Sequence, residues 1–575
     1  MPEYLAPGVY VEETSFRSPS IEGVGTSTAA FAGPTLTGPV GGTPELLTSF
    51  GDFANIYGGF DNLALTGNSS DAKNRNFMAL SVKAFFDNGG SMLYVSRVFA
   101  AKGGGSGGVA AGGTVSDSDV AVTARFPGFY GNLNVTATLV PAKTQNVGSL
   151  PPGSMLAVVP GGGGAITYYT NGTTGSFSSA GTPLTLPPPT GTYVLTMRLT
   201  VNGAAGTPLV YDGLGFDAAN PNYLGSMLGA VPPRRLDALQ NQVAFTIGKN
   251  LTAITLFGAL FGTWAGPSAP AATKTFTLAN GDDGNEPASL NYDAALQCFE
   301  ALEDIAIVAA PGSSVFGDSQ AIINGLITHV SRQRAYRVAV LDTPPNQIAS
   351  DNENVRSQID SSYAALYVPW VITANPLAQS GTSTPGEVSV PPSGFVAGIY
   401  ARSDENNGVS KAPANEVVLG ALRFERDITF AEQGLLNPLG INCMRSFPNR
   451  GYRLWGARTA SSDSEFKYVN VRRYLIYLEH SIDNSTQWAV FENNGPALWA
   501  RVKEAIDSFL FNEFTEGNLL GSSPTEAYFV RCDRTTMTQN DLDNGRMICL
   551  IGVALLKPAE FVIFRIGQMT ANAPQ

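Results

Sequence analysis

The sequence predicts a multidomain α/β (α+β) protein, in which an α/β core carries an inserted β-rich outer domain and is followed by a C-terminal α+β domain. A chain of 575 residues can hold about three or four domains with cores of their own. Buried-strand runs alternate with helical patterns on both sides of a Gly-, Thr- and Pro-rich stretch. The predicted boundaries are 1–20 for an extended arm, 21–100 and 281–403 for the core, 101–280 for the insert and 404–575 for the C-terminal domain.

The first part of the core shows a strand, a helix and a second strand. Prolines at positions 2, 7 and 19 keep the preceding arm out of a long helix. A buried strand is predicted at Ala29–Gly33, followed by an amphipathic helix at 76–87 and a strand at 92–99. The Asn-Gly-Gly sequence at 88–90 ends the helix.

Composition changes across residues 101–280, where only thirteen side chains are charged. A glycine-rich connector at 102–113 leads into this stretch. Short alternating runs such as 191–201 predict the strands of a barrel or sandwich.

The α/β pattern returns after residue 281. Helices are predicted at 292–302, 319–334 and 394–402, and buried strands at 305–310, 337–342 and 364–372. Strands and helices that alternate at this spacing indicate a sheet covered by helices.

The C-terminal domain begins with helices predicted at 468–483 and 496–514, and three β-rich runs follow at 527–532, 546–556 and 560–566. A strongly β-prone segment at an open end needs a partner, or it is an aggregation hazard. Because such segments occur near both ends of the sequence, we expect both to exchange strands with neighbouring subunits. The predicted exchange residues are Gly8, Val9, Tyr10, Val11, Glu12, Phe561, Val562, Ile563, Phe564, Arg565 and Ile566.

Composition excludes several classes of function. A net charge of −12 and a pI near 4.8 argue against general nucleic-acid binding. The sequence contains no apolar run long enough to cross a membrane and no secretory signal. The four cysteines form no CxxC pair and are expected to be reduced.

Candidate chemistry is sparse. The two histidines, His329 and His480, lie far apart in predicted helices, which gives little support for a zinc site or a His-based triad. The acidic loop at 280–286 offers oxygens to calcium but lacks the spacing of an EF-hand, so a turn is favoured. We therefore expect no catalytic, metal or cofactor site.

One stretch is strongly basic within this acidic chain. Between residues 443 and 473 there are seven basic side chains and two acids. They either pair with acids of their own subunit or form an electropositive face for an acidic partner, such as a subunit seam or an inner tube. The residues are Arg445, Arg450, Arg453, Arg458, Lys467, Arg472 and Arg473.

Several motifs resemble those of the contractile tail sheath proteins of myophages and phage-tail-like injection machines. They include PGVYVEE at the start, LWGART and YVNVRRYLIYLEHS in the second half, and KPAEFVIFRI near the end. Further matching stretches are 25–33, 84–98, 124–132, 305–312, 486–492 and 530–538.

The resemblance implies a structural motor rather than an enzyme. Subunits would stack as hexameric rings around an inner tube, lend both ends to neighbours, and contract to drive the tube through a target envelope. Implied partners are the tube protein, baseplate and tail terminator or cap proteins, and other sheath paralogues, with no cofactor, no nucleic acid and no membrane insertion. The implied location is the bacterial cytoplasm during assembly, and then a virion tail or a related particle.

Two other functions stay open at this point. The chain could be a capsid or surface structural protein without contraction, or a glycan-binding or hydrolytic tail protein. The second alternative requires a convergent acid and base, which the sequence does not offer.

Overall fold

A computed structural model describes residues 20–66, 71–102, 120–161, 164–173, 176–203, 208–249, 251–379 and 384–566. The predicted exchange residues 8–12 lie outside these ranges. The fold is mixed α/β, as predicted, with one mainly parallel sheet, one large antiparallel sheet and three smaller sheets in the described chain.

Nine strands form the core sheet. The six central strands run parallel to their neighbours, and the outer strands pair antiparallel. The sheet takes strands from both sides of the boundary predicted at 403/404, which stays a prediction. Across the sheet the order is Glu416–Val417, Gly451–Leu454, Ile441–Phe447, Ala364–Val368, Val338–Asp342, Ile307–Ala309, Ala29–Gly33, Leu93–Arg97 and Leu46–Leu47.

Helices cover both faces of the core sheet. Alternate residues of its central strand Ala29–Gly33 belong to two different apolar clusters, as expected for a strand buried on both sides. Helices Phe77–Asp87 and Pro392–Asn407 pack on one face, and Ser289–Gln297 and Ser319–Val330 on the other. The remaining helices of this part are Phe50–Tyr57, Asp71–Asn74, Ala349–Ser357 and Phe430–Leu436, with short 3-10 turns at Ser313–Val315 and Asn437–Leu439.

The single strand predicted at 364–372 is wrong in its length, because two strands occupy this stretch. Ala364–Val368 belongs to the core sheet, whereas Val371–Ala374 pairs antiparallel in a separate sheet with Glu387–Val390 and Ala421–Phe424. Pro369 lies between them and has no backbone N–H to continue a ladder. The buried indole of Trp370 donates to the carbonyl of Thr343 at 2.7 Å and fixes the change of direction.

The β-rich stretch predicted between residues 101 and 280 is present. An eight-stranded antiparallel sheet packs against helix Ala253–Phe261 around an apolar cluster of its own. Its strands are Thr273–Thr277, Asn134–Lys143, Thr192–Asn202, Met155–Val158, Thr167–Thr173, Ser176–Ser179 and Thr182–Pro183, with Leu209–Leu214 beside Thr192–Asn202. A separate pair, Val120–Ala124 and Val243–Ile247, and the helices Leu224–Met227 and Arg235–Gln240 complete this part, with a 3-10 turn at Phe129–Gly131.

The C-terminal part is a helical pair packed on a β-hairpin. Helices Val469–Thr486 and Pro496–Thr515 share an apolar cluster with Tyr528 and Val530. We call the antiparallel strands Tyr528–Arg531 and Leu550–Val553 the C-terminal hairpin. Two of the three predicted strands are therefore found within the subunit, and residues 561–566 form none. Short helices at Pro524–Ala527 and Gln539–Asp543, and a 3-10 turn at Gln487–Ala489, lie beside them.

Two aspartates accept the same pair of hydrogen bonds from a serine but differ strongly in burial. Asp342, at the end of a core strand, accepts from the N–H and hydroxyl of Ser393 at 2.8 and 2.6 Å, which ties the Pro392–Asn407 helix to the sheet. Asp360 accepts from the N–H and hydroxyl of Ser462 at the same two distances, but it is exposed. Burial raises the pKa of Asp342 to about 7, whereas the bonds from Ser462 lower the pKa of Asp360.

A buried ion pair joins the core to the C-terminal helices. Arg473 and Asp404 are 3% and 5% exposed and lie 2.5 Å apart. Arg473 also donates to the carbonyl of Thr26 at 2.9 Å, and the Thr26 hydroxyl donates to Asp404 at 2.7 Å. Although burial opposes the charge, Asp404 raises the pKa of Arg473 above its ordinary value. One network therefore fastens three distant parts of the sequence.

The raised pKa of Asp342 predicts a specific dependence of stability on pH. The folded protein binds this proton more tightly than the unfolded chain, so the contribution of Asp342 to the free energy of unfolding falls as pH rises from about 4 to about 7. Asp342→Asn lacks this titration, so its stability relative to the wild type should rise by roughly 2–4 kcal/mol across the window. Urea unfolding at several pH values measures the difference.

Asp360→Asn is the matched control for that titration. Because the folded pKa of Asp360 is lowered, the contribution of Asp360 to the free energy of unfolding changes only below its ordinary pKa. The difference in stability between Asp360→Asn and the wild type should therefore stay constant from about pH 4 to about pH 7. A flat difference for Asp342→Asn as well would contradict the assignment.

The buried ion pair predicts a large loss on removal of one partner. Arg473→Met leaves the Asp404 carboxylate buried without its cation, so the free energy of unfolding should fall by about 3–5 kcal/mol. Lys83→Met is the control, because it breaks the exposed Lys83–Asp87 pair and should cost only about 0.5 kcal/mol. Denaturant unfolding of both variants provides the comparison, and equal losses would show that burial does not govern the first pair.

Candidate assembly interface

Residues 561–566, which we call the terminal segment, are all exposed on the subunit surface. Its five apolar side chains, Phe561, Val562, Ile563, Phe564 and Ile566, are between 68% and 95% exposed. Arg565 is exposed as well. Within the described residues the segment pairs with no strand, so its backbone N–H and C=O groups have no sheet partner among those residues.

The C-terminal hairpin has two strands and exposes three large apolar side chains, Phe529, Leu550 and Ile551, by 53%, 47% and 37%. Phe529 and Leu550 lie on its outer face together with Arg531, whereas Ile551 lies opposite Val530 on the inner face. The same hairpin is held to the body by the buried side chains of Tyr528 and Val530. A two-stranded ribbon is only marginally stable by itself, and its open edges offer unpaired N–H and C=O groups.

The first described residues run along the helix Val469–Thr486. The N–H groups of Glu22 and Val24 donate to the hydroxyls of Ser485 and Ser481 at 3.2 and 3.1 Å. A Cβ at Gly23 would meet the Tyr477 hydroxyl oxygen at 2.3 Å, so a larger residue would require the Tyr477 ring or this segment to shift. The predicted exchange residues 8–12 precede this attachment and stay a prediction.

Three members of the basic stretch are interior residues, which corrects their assignment to an electropositive face. Arg458, Arg472 and Arg473 are 4–6% exposed. Arg473 pairs with Asp404 as described above. Arg472 lies between the rings of Phe466 and Tyr363, at 3.7 and 4.4 Å from their centroids, and donates to Ser362 at 2.9 Å. Their partners belong to distant parts of the sequence, which a count of local charges cannot identify.

The four other basic residues remain closer to the surface, but all four also make contacts within the subunit. Arg445 donates to the carbonyl of Ile428 and to Gln433 at 3.0 and 2.9 Å. Arg450 and Arg453 both bond to Asn415 at 2.7 Å. Lys467 lies over the ring of Tyr468. A contact of this group with a tube or a seam stays a prediction.

Arg458 holds the residue that precedes the terminal segment. Its Nε and Nη2 atoms donate to the two carboxylate oxygens of Glu560 at 2.8 and 2.6 Å. Asn437 and the hydroxyl of Tyr468 donate to the same carboxylate at 2.7 and 3.0 Å. Sequence reasoning missed Glu560; the only available signal was an acid placed directly before an apolar run.

The residues weighed for catalysis or metal binding have structural surroundings. His329 is buried beside Arg337, and burial together with this cation lowers its pKa to about 3. His480 stacks on Tyr336 at 4.7 Å. In the acidic loop, Asp283 accepts from the N–H groups of Ala64 and Phe129, both at 2.7 Å.

The described ranges contain neither a metal-binding cluster nor a membrane-spanning helix. No group of three or more His, Cys, Asp or Glu there could hold a metal ion. No helix in those ranges is long and apolar enough to span a membrane.

Comparison with known proteins gives two adjoining family matches and several relatives. Residues 285–460 match the phage tail sheath protein central domain, and residues 461–568 match the phage tail sheath C-terminal domain. The chain is 27% identical over 275 residues to the tail sheath protein of Vibrio phage KVP40, covering 47% of this chain and 38% of that protein. It is 25% identical over 267 residues to a prophage major tail sheath protein of Pseudomonas aeruginosa, covering 45% and 64%. The match thus spans less than two thirds of each relative.

Solved structures share the fold over nearly the whole chain. The PVC sheath complex of an extracellular contractile injection system, in its contracted state, gives a TM-score of 0.55 at 20% identity and covers 99% of both chains. The contracted helical sheath of the anti-feeding prophage gives 0.53 at 19% identity, covering 98% and 100%. At these identities the likeness shows a common fold. Together with the family matches over residues 285–568, it leads to one conclusion: the chain belongs to the phage tail sheath protein family.

Proposed function

We propose that the chain is a structural subunit of a contractile tail sheath, which polymerises around an inner tube and shortens to drive the tube through a cell envelope. The observation that carries the proposal is the exposed terminal segment of a sheath-family chain. The proposed partners are further copies of this chain in stacked hexameric rings, the tube protein, baseplate and terminator or cap proteins, and sister sheath proteins. The particle would assemble in the bacterial cytoplasm.

The terminal segment is suited to be a donated strand. Its apolar residues are β-branched or aromatic, and such side chains favour a pleated, half-buried surface. Full burial of one such side chain is worth about 1.5–3 kcal/mol, so five exposed ones favour association strongly. In β-augmentation the main chain adds its own hydrogen bonds to this term.

The C-terminal hairpin is suited to be the acceptor. It needs further strands for a stable sheet, and the exposed Phe529, Leu550 and Ile551 offer apolar surface to a strand laid beside them. Donor and acceptor are different surfaces of the same chain, so each contact is head-to-tail. Repetition of a head-to-tail contact produces rings or open helices rather than closed dimers, which is the geometry of a sheath.

Contraction in this proposal moves subunits as rigid bodies that stay joined by their exchanged strands. The interior of each subunit is tied together by buried polar contacts such as Arg473–Asp404. The movable parts are then the residues that join the donated strand to the body of its subunit. A small free-energy difference per subunit adds along the tube, so no nucleotide is needed.

Removal of residues 561–575 tests the donated strand. The truncated subunit should keep its melting temperature, because the segment 561–566 makes few contacts within the subunit, but it should form no striated tubes. Ile563→Pro should act in the same direction by removing one N–H from the donated strand, whereas Ile563→Val is the matched control that keeps shape and strand preference. Negative-stain electron microscopy and sedimentation of the purified chains provide the measurement.

The result against the proposal is equally clear. Tubes formed by the truncated chain at the same protein concentration as the full chain would exclude strand donation by this segment. Closed shells from the full chain would instead favour a capsid function.

A further inference from the structure

The described chain changes abruptly from anchored to exposed at Glu560. On one side, Leu556 accepts a hydrogen bond from Asn470 at 3.1 Å, and Leu520 donates to Ala554 at 2.8 Å. On the other side, every residue of the terminal segment is exposed. Among the described residues, Glu560 is the last one whose side chain is held, and its carboxylate receives four hydrogen bonds from three residues.

The Glu560 carboxylate binds in a socket formed by Arg458, Asn437 and Tyr468, and Arg458 is itself held by further hydrogen bonds. Asn442, which is fully buried, accepts from the N–H of Arg458 and donates to its carbonyl, both at 2.7 Å. The third guanidinium nitrogen of Arg458 donates to the carbonyl of Asn437 at 2.8 Å. The guanidinium is therefore oriented from its own main chain and from the 3-10 turn Asn437–Leu439, so the carboxylate binds a preformed fork.

The socket lies on the core, not on the C-terminal hairpin. Asn437, Asn442 and Arg458 all come from the part of the chain that forms the edge of the core sheet and its connecting turns. The linker 554–560 thus leaves the hairpin, crosses to the core and is fixed there before the terminal segment begins. Although burial opposes ionisation, hydrogen bonds from Arg458 and Asn437 lower the pKa of Glu560, so the anchor is charged at neutral pH.

We propose that Glu560 is a positioning residue, whose carboxylate in the Arg458 socket fixes the point and direction from which residues 561–566 leave the subunit toward the neighbouring copy. This inference rests on the proposed function. Fixing one end of the donated strand lowers the conformational entropy that is lost when the strand docks, which strengthens association without adding a contact at the interface. It also keeps the donor attached to the core while the acceptor hairpin turns with its own subunit.

Glu560→Gln tests the anchor with almost no change of size. The loss of a charge-assisted bidentate pair should raise the critical concentration for tube assembly about tenfold. Hydrogen–deuterium exchange of the monomer should become about tenfold faster in the linker 554–560, where the amides of Ala554 and Glu560 are hydrogen bonded, and stay unchanged in the hairpin strand Tyr528–Arg531. Arg458→Lys should give the same two effects, since a lysine keeps the charge but not the fork. Glu504→Gln, an exposed acid on the Pro496–Thr515 helix, is the control and should change neither.

Tyr468→Phe is the milder variant, in case the others fail to fold, because it removes one of the four bonds. It should shift both measurements in the same direction and by less. If linker exchange and critical concentration match the wild type in the variants that fold, Glu560 does not position the segment. A uniform rise of exchange in linker and hairpin alike would make it a general stabilising residue and would also overturn the inference. If removal of residues 561–575 leaves assembly intact, the proposed function fails first; if that removal abolishes tubes while Glu560→Gln assembles normally, only the anchor fails.

Discussion

The terminal segment places five apolar side chains in water, and within the described residues the subunit has no surface that covers them. This constraint governs the rest of the molecule. A folded protein normally buries such residues, and a β-prone run left open invites association with any available edge. For a subunit that assembles with its own kind, the same property becomes the source of order, provided that the segment meets one edge and no other. We interpret the buried contacts of the subunit as features that restrict where the segment can bind.

Buried polar contacts limit where the segment can go, because they connect different parts of the fold and do not lie within single helices or strands. Arg473 and Asp404 join the C-terminal helices to the core and to the first described residues. Asp283 receives N–H groups from Ala64 in the core and from Phe129 at the entry to the β-rich insert. Such contacts cost desolvation and gain little stability over an apolar contact. They instead fix the relative orientation of the elements that they join, since their hydrogen bonds are satisfied in only one arrangement of those elements.

The sequence alone predicts the helices and strands named below, but it does not predict the contacts between them. Apolar patterns identified Ala29–Gly33, the helix Phe77–Asp87 and the C-terminal helices, because local periodicity reports which face is buried. The sequence predicts one strand at 364–372, since the apolar run continues through Pro369, but the hydrogen-bonded ladder of the core sheet ends before this proline. The electropositive face predicted from the basic stretch is wrong for Arg458 and Arg473 for a different reason. These two arginines are paired with Glu560 and Asp404, which lie 102 and 69 residues away. Pairing at such separations leaves no trace in local composition.

A sheath that contracts has two requirements that oppose each other, since its subunits must change their relative orientation and must not separate. In the proposed function, strand exchange meets the second requirement, because the exchanged strand stays paired while the bodies at either end of it turn. The first requirement demands that rotation occur in a linker and nowhere inside the subunit. A linker that was loose at both ends would permit rotation but would let the donated strand dock in many directions. The bidentate pair of Glu560 with Arg458 resolves this conflict in the proposed function, because it confines the rotation to the few residues beyond Glu560 and gives the donated strand one starting point.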